Sequence, residues 1–355
     1  MIPMDPLAIV RKKDSPASLA ASGRFGNFRP EIEQAVRAFD VGPSPIMDAM
    51  AAAWKRCHYR WELLIKGVKE KKDLRSGVCE EAIGDLECSA NDVERFSIKI
   101  AEFQNEKDFR EKAGYFLSTL INMGKDRDFI IHTKHLGDGI DSLGVHNTKN
   151  IYIKGDGGTK CGCDMRSGTI IVEGNVAYNG FFYMHGGSAI VRGDAGGSCG
   201  HYMTGGDVLV RGDCAYHCGE EMSRGKITVE GDAGFNCGKL MGGGIVHVKG
   251  SVETRCGLQM KRGYIIIDGD AGECCGSEKE GGRIHVCGNA GDACGYSMRG
   301  GIIEVDGNAG DRCGESMLRG KIHIKGEIAS ISGGLYGGRV YQKRRLVWPK
   351  EGRKG

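Results

Sequence analysis

The chain has 355 residues, of which 49 are basic and 46 acidic, so its formal net charge of +3 points to no nucleic-acid or membrane-surface partner. No apolar run approaches the roughly 18 residues of a transmembrane helix, and the first residues lack a signal-peptide core, which predicts a cytoplasmic protein. Glycine is abundant at 59 residues but lacks the three-residue period of collagen, so a collagen-like chain is excluded.

The first part of the chain is predicted to be an extended arm over residues 1–30, followed by an α-helical domain over 31–128. That domain opens with a short helix over 31–39 and a long helix that has Ser44 as N-cap and Pro45 in its first turn. Apolar residues of the long helix recur at three- and four-residue steps, which indicates one buried face. They are Met47, Met50, Trp54, Trp61, Leu64, Ile65 and Val68.

Three further helices complete the predicted helical domain, over 80–86, 92–103 and 106–123, the last ended by Gly124. A loop around Arg75-Ser-Gly77 precedes the first of them. Met47, Trp54 and Trp61 are expected to form core rather than a cofactor pocket. Residues 129–132 then alternate as a strand that leads into the next domain.

From Ser142 to about Val340 the sequence repeats every 19 residues, with the consensus G-[DN]-A-G-x-x-C-G-x-x-M-x-x-G-x-[IV]-x-[VI]-x. Each unit contains one short segment with alternate apolar residues, such as 169–173, which is the period of a strand with one buried side. A fixed period near 20 with one strand per unit is typical of a solenoid. Helical repeats are excluded, because each of the many glycines would cost roughly 1 kcal/mol inside a helix.

The expected fold is therefore mainly β: a parallel β-helix of about ten 19-residue coils over 129–338, preceded by the small α-helical domain. Glycines are placed at corners that need positive φ or close approach of the backbone. The terminal coils are atypical, as capping repeats usually are. Ser142 and His146 stand in the Cys and Met columns at one end, and Ser332 and Tyr336 at the other.

The Cys and Met columns are predicted to point inward as structural ladders. Like residues on stacked coils would lie about 4.8 Å apart in a line, which does not suit four ligands converging on one zinc ion. We therefore expect packed thiols, with a cluster or redox role as the alternative. The ladder residues are Cys161, Cys199, Cys218, Cys237, Cys256, Cys275, Cys294, Cys313, Met165, Met184, Met203, Met222, Met241, Met260, Met298 and Met317.

Lys279 interrupts the Met column. An ammonium buried between Met260 and Met298 would be costly unless it were paired. The sequence thus predicts that Glu278-Lys279-Glu280 bulges or turns outward.

The outward positions carry no recognisable catalytic, cofactor-binding or metal-binding set. Strings of the form GxGxxG lie inside the repeat and open no helix after a lone strand, so they do not predict a dinucleotide site. His247, His285 and His323 stand on alternate coils, about 9.6 Å apart, too far to share a metal, and are predicted to be surface residues. The remaining cysteines show no CxxC spacing; they are Cys57, Cys79, Cys88, Cys163, Cys214, Cys274 and Cys287.

The candidate interface is a group of outward aromatic residues on adjacent coils, Phe182, Tyr183, His201 and Tyr202, together with Trp348 in a basic C-terminal tail over 339–355. Large exposed apolar patches are uncommon, and aromatic residues are enriched in interface cores. Either the helical domain or a partner protein is therefore expected to cover these rings.

Two units that show the repeat well are Gly288–Gly301 (GNAGDACGYSMRGG) and Gly307–Gly320 (GNAGDRCGESMLRG). They resemble the GXGXG-repeat family of right-handed β-helices, which includes the β-helical subunit of formylmethanofuran dehydrogenase and the C-terminal domain of the glutamate synthase large subunit. The resemblance extends over roughly residues 140–338 and implies a structural part that holds catalytic domains or subunits together. It offers no catalytic residue that maps onto this chain.

The resemblance implies a non-catalytic scaffold subunit of a multisubunit oxidoreductase similar to formylmethanofuran dehydrogenase. Such a chain would bind no cofactor itself, while its partner subunits would carry molybdenum or tungsten pterin, iron–sulfur clusters or flavin. One alternative is the β-helix subunit of a split glutamate synthase. Another is a metal-binding protein that uses the Cys column.

Overall fold

The structure is a computed structural model that describes residues 44–67, 73–137, 139–331 and 336–349. The predicted arm over 1–30 and the short helix over 31–39 lie outside these residues, as do the side chains of Leu64, Ile65 and Val68. The helices are α1 (Pro45–Gly67), α2 (Asp73–Ile83), α3 (Ala90–Lys99) and α4 (Phe109–Met123), with 3-10 turns at Ile100–Phe103 and Lys134–Leu136. Among the described helices none is long and apolar enough to cross a membrane.

The helical region confirms α1 and corrects the bounds of the other helices. Met47, Met50, Trp54 and Trp61 of α1 are buried, and Trp54 packs against Phe103, Phe109 and Phe116. α2 begins at Asp73 and runs through Gly77, where a loop was predicted. A glycine inside a helix costs about 1 kcal/mol, and burial of Cys79, Ala82 and Ile83 offsets that cost.

The next two helices begin at other residues than predicted. α3 starts at Ala90, two residues before the predicted position, because Ser89 and Asp92 form a reciprocal capping box. α4 starts at Phe109 rather than Glu106. The Glu106 carboxylate instead accepts a hydrogen bond from Trp54 Nε1 at 3.2 Å and lies 2.9 Å from His58 Nδ1.

The described residues from 128 onward form one sheet whose thirteen strands are arranged in chain order, parallel except for the last pair. The predicted mainly β fold, a parallel β-helix after a small helical region, is confirmed, with about eleven turns instead of ten. The strands are β1 (Asp128–His132), β2 (Asn150–Lys154), β3 (Thr169–Val172), β4 (Ser188–Val191), β5 (Asp207–Val210), β6 (Lys226–Val229), β7 (Ile245–Val248), β8 (Tyr264–Ile267), β9 (Arg283–Val286), β10 (Ile302–Val305), β11 (Lys321–Ile324), β12 (Arg339–Gln342) and β13 (Arg345–Trp348).

The interior of the β-helix holds the Cys and Met columns. Every residue of the two predicted ladders is 0% exposed. One coil replaces the usual Cys-Gly pair by Gly180-Phe181, and the Phe181 ring is also fully buried. A Cβ added to Gly162 would lie 2.6 Å from the Phe181 ring, so this ring occupies the space above the glycine of the preceding coil.

Glycine is needed at one corner for two reasons at once. Gly225 has φ +93°, and a Cβ there would lie 2.5 Å from the Gly206 carbonyl oxygen and 2.8 Å from Met203 Cε. The methyl end of each buried methionine therefore packs on a glycine of the following coil. This contact explains why the Met and Gly columns repeat together.

Two further columns adopt positive φ without glycine, which the sequence did not predict. Ser198 (φ 61°) and Tyr202 (φ 57°) are examples from one coil. Such a left-handed residue costs roughly 1–2 kcal/mol. Hydrogen bonds to the next coil hold it in place, from Ser198 N to Tyr216 O at 2.8 Å and from Tyr202 N to Glu220 O at 3.0 Å.

A ladder of Asp and Asn side chains explains the [DN] position of the repeat. Asn175 Oδ1 accepts from Asp194 N at 2.8 Å, and Asp194 Oδ1 accepts from Asp213 N at 2.9 Å. The same bond continues from Asp213 to Asp232. The glycine before each acid or amide makes room for the acid or amide of the preceding coil, since a Cβ on Gly193 would lie 2.2 Å from Asn175 Oδ1.

The predicted register of the first coil is wrong by one residue. Leu143 and Asn147, both 0% exposed, occupy the Cys and Met columns in place of Ser142 and His146. Ser142 (φ 58°) and His146 (φ 56°) instead take the two left-handed positions that also recur in later coils. The corners on either side of this segment are each one residue shorter than the corresponding corners of later coils. A uniform 19-residue period does not reveal this difference.

The far end shows the same one-residue shift. Ile331 pairs with Cys313, and Tyr336 is 78% exposed instead of lying in the Met column; Ser332 itself lies outside the described residues. Residues 339–348 were predicted to belong to a tail, but they form β12 and β13, and Val340 is fully buried. The antiparallel β13 follows the last parallel strand and places Trp348 opposite Val340.

α4 covers the other end of the β-helix. Gly114 is required there, because a Cβ would lie 1.7 Å from the Asp141 carbonyl oxygen. Gly144 N donates to Ser118 Oγ at 2.8 Å, and Asn122 Nδ2 donates to Val145 O at 3.1 Å. These bonds tie the helix to the first coil and shield the apolar interior from water.

Lys279 does not turn outward, so that prediction is wrong. Its side chain is 0% exposed, and its ammonium donates to the Gly282 carbonyl oxygen at 2.5 Å. No carboxylate among the described residues pairs with it. A Cβ on Gly301 would lie 2.0 Å from Lys279 Nζ, so the amine takes the place that a methionine methyl has elsewhere. Burial lowers the pKa of Lys279 to about 7.

Candidate functional site: an aromatic and charged face

Four of the five predicted interface residues lie together on the outward side of the turn segments. The Tyr183 and Tyr202 rings stack at 4.8 Å, and the His201 ring stacks on Tyr202 at 4.0 Å. The Phe182 and His201 rings are nearly perpendicular, with their centroids 5.4 Å apart. Trp348, the fifth residue, lies apart from them in β13 at the C-terminal end of the sheet.

A second row of rings, which sequence reasoning missed, lies on the same turn segments. Tyr178, Tyr216 and Phe235 are 46%, 41% and 40% exposed. Tyr216 stacks on Phe235 at 5.2 Å and lies 6.4 Å from Tyr178. Gly197 stands between these tyrosines in the column, and the Tyr216 ring lies over it. The signal was the recurrence of aromatic residues two positions after the Ala column.

We call the two rows together the aromatic face. The aromatic face consists of Tyr178, Phe182, Tyr183, His201, Tyr202, Tyr216 and Phe235.

A charged cluster adjoins the rings and is centred on Glu220, whose side chain is 9% exposed. Lys239 Nζ donates to Glu220 Oε1 at 2.7 Å, and His217 Nδ1 lies 2.5 Å from Oε2. Burial raises the pKa of Glu220, but the hydrogen bonds from Lys239 and His217 outweigh that effect and leave the pKa below its ordinary value. Glu220 is thus an ionised, nearly buried carboxylate.

His201 joins the aromatic face to this cluster. Its Nε2 is buried without a hydrogen-bond partner among the described residues, 4.0 Å from Glu220 and 3.9 Å from Glu221. Burial lowers the pKa of His201, so the imidazole is neutral at pH 7. The ligand atoms of His201, Glu220 and Glu221 lie within 4.8 Å of one another. Lys239 and His217 already satisfy Glu220, however, which makes this a poor cation site.

A shallow groove of about 700 Å³ runs beside the aromatic face. Ala215 and Gly234, which precede Tyr216 and Phe235, form part of its lining. Its other side is acidic, because the ladder residues Asp194, Asp213 and Asp232 project there with Glu253 at one end. The groove therefore offers a floor of small residues beside a row of carboxylates.

The histidines of the strand column differ from the surface residues that were predicted. His247 is only 7% exposed, and its Nε2 lies 3.1 Å from both oxygens of Asp268 on the next coil. His285 Nε2 lies 3.1 Å from Asp306 Oδ1 in the same way. The spacing between histidines could not detect these aspartates, because only the stacking of the coils brings them alongside.

Burial favours the protonated thiol in the interior. It raises the pKa of Cys161 to about 12, and a hydrogen bond with Cys214 together with burial raises the pKa of Cys199. Cys214 stands in the Ala column and contacts Cys199 and Cys218 across the interior. Groups of three or more metal-ligating side chains with atoms within 4.8 Å of one another occur twice in the described ranges, and neither includes a ladder cysteine.

The aromatic face thus presents apolar rings, a paired ionised carboxylate and an acidic groove on one side of the β-helix. Rings of this size beside satisfied charges are suited to binding a protein surface. The geometry is less suited to catalysis, since Glu220, the best-placed carboxylate, is held by both its neighbours.

Neither a protein-family model nor a curated protein sequence matches the chain. A solved structure that is similar to it belongs to the formyltransferase/hydrolase complex (FhcABCD) from Methylorubrum extorquens, in complex with methylofuran. The identity is 27%, the match covers 39% of this chain and 55% of that chain, and the TM-score is 0.36. The match thus spans about half the length of that chain.

Proposed function

We propose that this chain is a non-catalytic scaffold subunit of a multisubunit oxidoreductase of the formylmethanofuran dehydrogenase type. The observation that carries the proposal is the aromatic face, with Tyr178, Tyr216 and Phe235 each at least 40% exposed on the outward side of the coils. Exposed aromatic residues in one contiguous patch mark protein interfaces. The resemblance of the repeat to the GXGXG family supports the same role.

The interior supports a structural part as well. Its columns are filled with Met, Cys, Ile and Val side chains and sealed by α4 at one end, which suits a rigid support. In this proposal the redox cofactors, whether molybdenum or tungsten pterin, iron–sulfur clusters or flavin, belong to the partner subunits. The partners bind at the aromatic face and in the acidic groove beside it.

The test is isolation of the full-length chain from its native cell under gentle conditions, followed by native mass measurement and identification of co-purifying subunits. We expect a hetero-oligomer whose other subunits carry the cofactors. A pterin protein indicates the formylmethanofuran type, and a flavin-containing synthase subunit would indicate the glutamate synthase alternative. A monomer that turns over a substrate alone would refute the scaffold role.

A paired substitution locates the interface. Changing Tyr216→Ser and Phe235→Ser together should release the partners while leaving the melting temperature of the isolated chain unchanged, because both rings are exposed. The matched control is Tyr296→Ser, which removes a ring of 37% exposure from the same outward column as Phe182 on a distant coil. Retention of all partners by the double variant would show that the interface lies elsewhere.

A further inference from the structure

Three residues with metal-binding side chains meet on the outward side of β9 and β10, away from the aromatic face. His285 and Cys287 are two residues apart in an extended segment, so their side chains point to the same side. Asp306 occupies the position of Cys287 on the next coil, since Val286 pairs with Val305. The ligand atoms of His285, Cys287 and Asp306 all lie within 4.8 Å of one another.

The types and spacing of these ligands suit zinc. Zinc takes imidazole nitrogen, thiolate sulfur and carboxylate oxygen at about 2.0–2.3 Å in a tetrahedron, which sets neighbouring ligand atoms about 3.3–3.6 Å apart. His285 Nε2 and Asp306 Oδ1 are separated by 3.1 Å, close to this spacing. One thiolate and one carboxylate would balance the two charges of the ion.

The backbone holds the ligands in place. Cys287 N donates to Ile267 O and Asp306 N donates to Val286 O, both at 2.8 Å. The His285 side chain is 11% exposed and stands beside Ile266, which is 5% exposed. Cys287, in contrast, is exposed. A metal could therefore enter from solvent and would keep one open coordination position.

The protein contains a natural comparison for this cluster two coils away. His247 and Asp268 repeat the pair of His285 and Asp306, with the same 3.1 Å separation. Lys249 stands where Cys287 does, and it pairs with Glu230 at 2.7 Å. A histidine–aspartate pair is thus a repeated feature of the column, and the cysteine is what turns one copy into a set of three ligands.

We propose that His285, Cys287 and Asp306 form an open zinc-type site, with three protein ligands and a fourth position for water or a group from another molecule. The charges around it are compatible with a cation. Lys325 Nζ lies 2.8 Å from Asp306 Oδ1, but its side chain is 68% exposed and can turn into solvent. Arg283 is directed to Glu304 at 3.6 Å. The site does not depend on the proposed scaffold role.

Cobalt(II) is the probe, since it replaces zinc and gives a thiolate-to-metal charge-transfer band that reports a sulfur ligand. We expect the reduced, metal-stripped full-length chain to bind one Co²⁺ with this band and with the strong visible absorption of tetrahedral cobalt, and Zn²⁺ to displace it. Cys287→Ser should lose the band and weaken binding by more than the roughly 10–100-fold that loss of an outer hydrogen bond costs. Cys274→Ser, at a partly exposed cysteine outside the cluster, is the matched control.

A gain-of-site variant completes the test. Lys249→Cys should create a second set from His247, the introduced thiol and Asp268, and double both the bound cobalt and the charge-transfer absorbance. Absence of saturable Co²⁺ binding, or a charge-transfer band that survives in Cys287→Ser, would overturn the proposal. An unchanged melting temperature of metal-free Cys287→Ser would show that this substitution at an exposed residue leaves the fold intact.

Discussion

Inside the β-helix eight Cys and eight Met side chains fill two columns with full burial, whereas the outward column two residues after each Cys changes from Phe182 to His201, Glu220 and Lys239 within four coils. Both sides share one backbone period. The inner side must fill a constant cross-section, so each position accepts only a narrow range of volumes. The outer side meets solvent or a partner, and there the side chains diverge.

Two exceptions within the regular coils, away from the ends of the β-helix, show how strict the inner rule is. Gly180-Phe181 reverses the sizes of the Cys-Gly pair while keeping the space filled. Lys279 keeps the length of a methionine, and its amine donates to the Gly282 carbonyl oxygen. Inside the β-helix, volume and length are therefore retained even when the chemistry changes. Three substitutions test this difference between inside and outside.

The largest effect is expected at Phe181. Phe181→Ala should lower the free energy of unfolding by about 3–5 kcal/mol, because it leaves a cavity beside Gly180, which has no side chain to fill it. Urea unfolding followed by far-UV circular dichroism measures the change. Tyr216→Ala, which removes an exposed ring, should stay within about 0.5 kcal/mol. The triple variant Val176→Ala, Gly180→Cys and Phe181→Gly restores the consensus residues and should recover most of the loss; Val176 is included because a Cβ on Gly180 would lie 2.5 Å from its Cγ1. If Phe181→Ala and Tyr216→Ala lowered the free energy of unfolding equally, inner and outer positions would not differ in their tolerance of substitution.

The next effect is expected at Lys279 and depends on pH. Lys279→Met should stabilise the protein by about 1–3 kcal/mol near pH 7, since it removes a buried amine and restores the methionine of the column. Burial lowers the pKa of Lys279 from 10.5 to about 7. Between these two pH values the amine is therefore protonated in the unfolded chain and neutral in the folded chain. Stability of the wild-type chain therefore rises with pH across this window, by at most about 1.4 kcal/mol per pH unit, and the full penalty is present below pH 7.

The measurement is the difference in unfolding free energy between wild type and Lys279→Met from pH 6 to pH 10. Groups remote from Lys279 titrate equally in both proteins and cancel in the difference, whereas the neighbouring Cys275 thiol, whose pKa the Lys279 charge lowers, contributes to it. The advantage of the variant should shrink as pH rises. A difference independent of pH would mean that Lys279 carries the same charge folded and unfolded.

The smallest effect is expected at the aspartate ladder on the outside. Asp213→Ala removes the acceptor for Asp232 N, a bond of 2.8 Å, and should cost about 1 kcal/mol because solvent can replace it. Asp213→Asn keeps an oxygen at the same place, as Asn175 does in its own coil, and should be nearly neutral. Thermal unfolding compares the two. A loss equal to that of Phe181→Ala would show that an outer ladder matters as much as the core.

Some of the candidate site followed from the sequence and some did not. Phe182, Tyr183, His201 and Tyr202 could be grouped because residues 19 apart stack in any solenoid of this period. The sequence could not predict that Glu220 and Lys239 pair beside these rings. A long charged side chain has several possible partners, and only the distances in the folded chain show which one it contacts. The pairing of His247 with Asp268 was missed as well, because it joins residues that are 21 rather than 19 apart.

The period, the strand register and the identity of the buried columns could all be predicted from the amino-acid order. Those features follow from a pattern that is local to each coil and is copied by the next. The one-residue shifts at Leu143 and Ile331, the burial of Lys279 and the meeting of His285, Cys287 and Asp306 emerged from the folded chain instead. The shifts and the burial of Lys279 depend on corner lengths and on contacts between coils, which the repeat pattern does not encode. The 19-residue period does place Cys287 beside Asp306, but only the folded chain shows that the His285 side chain reaches both.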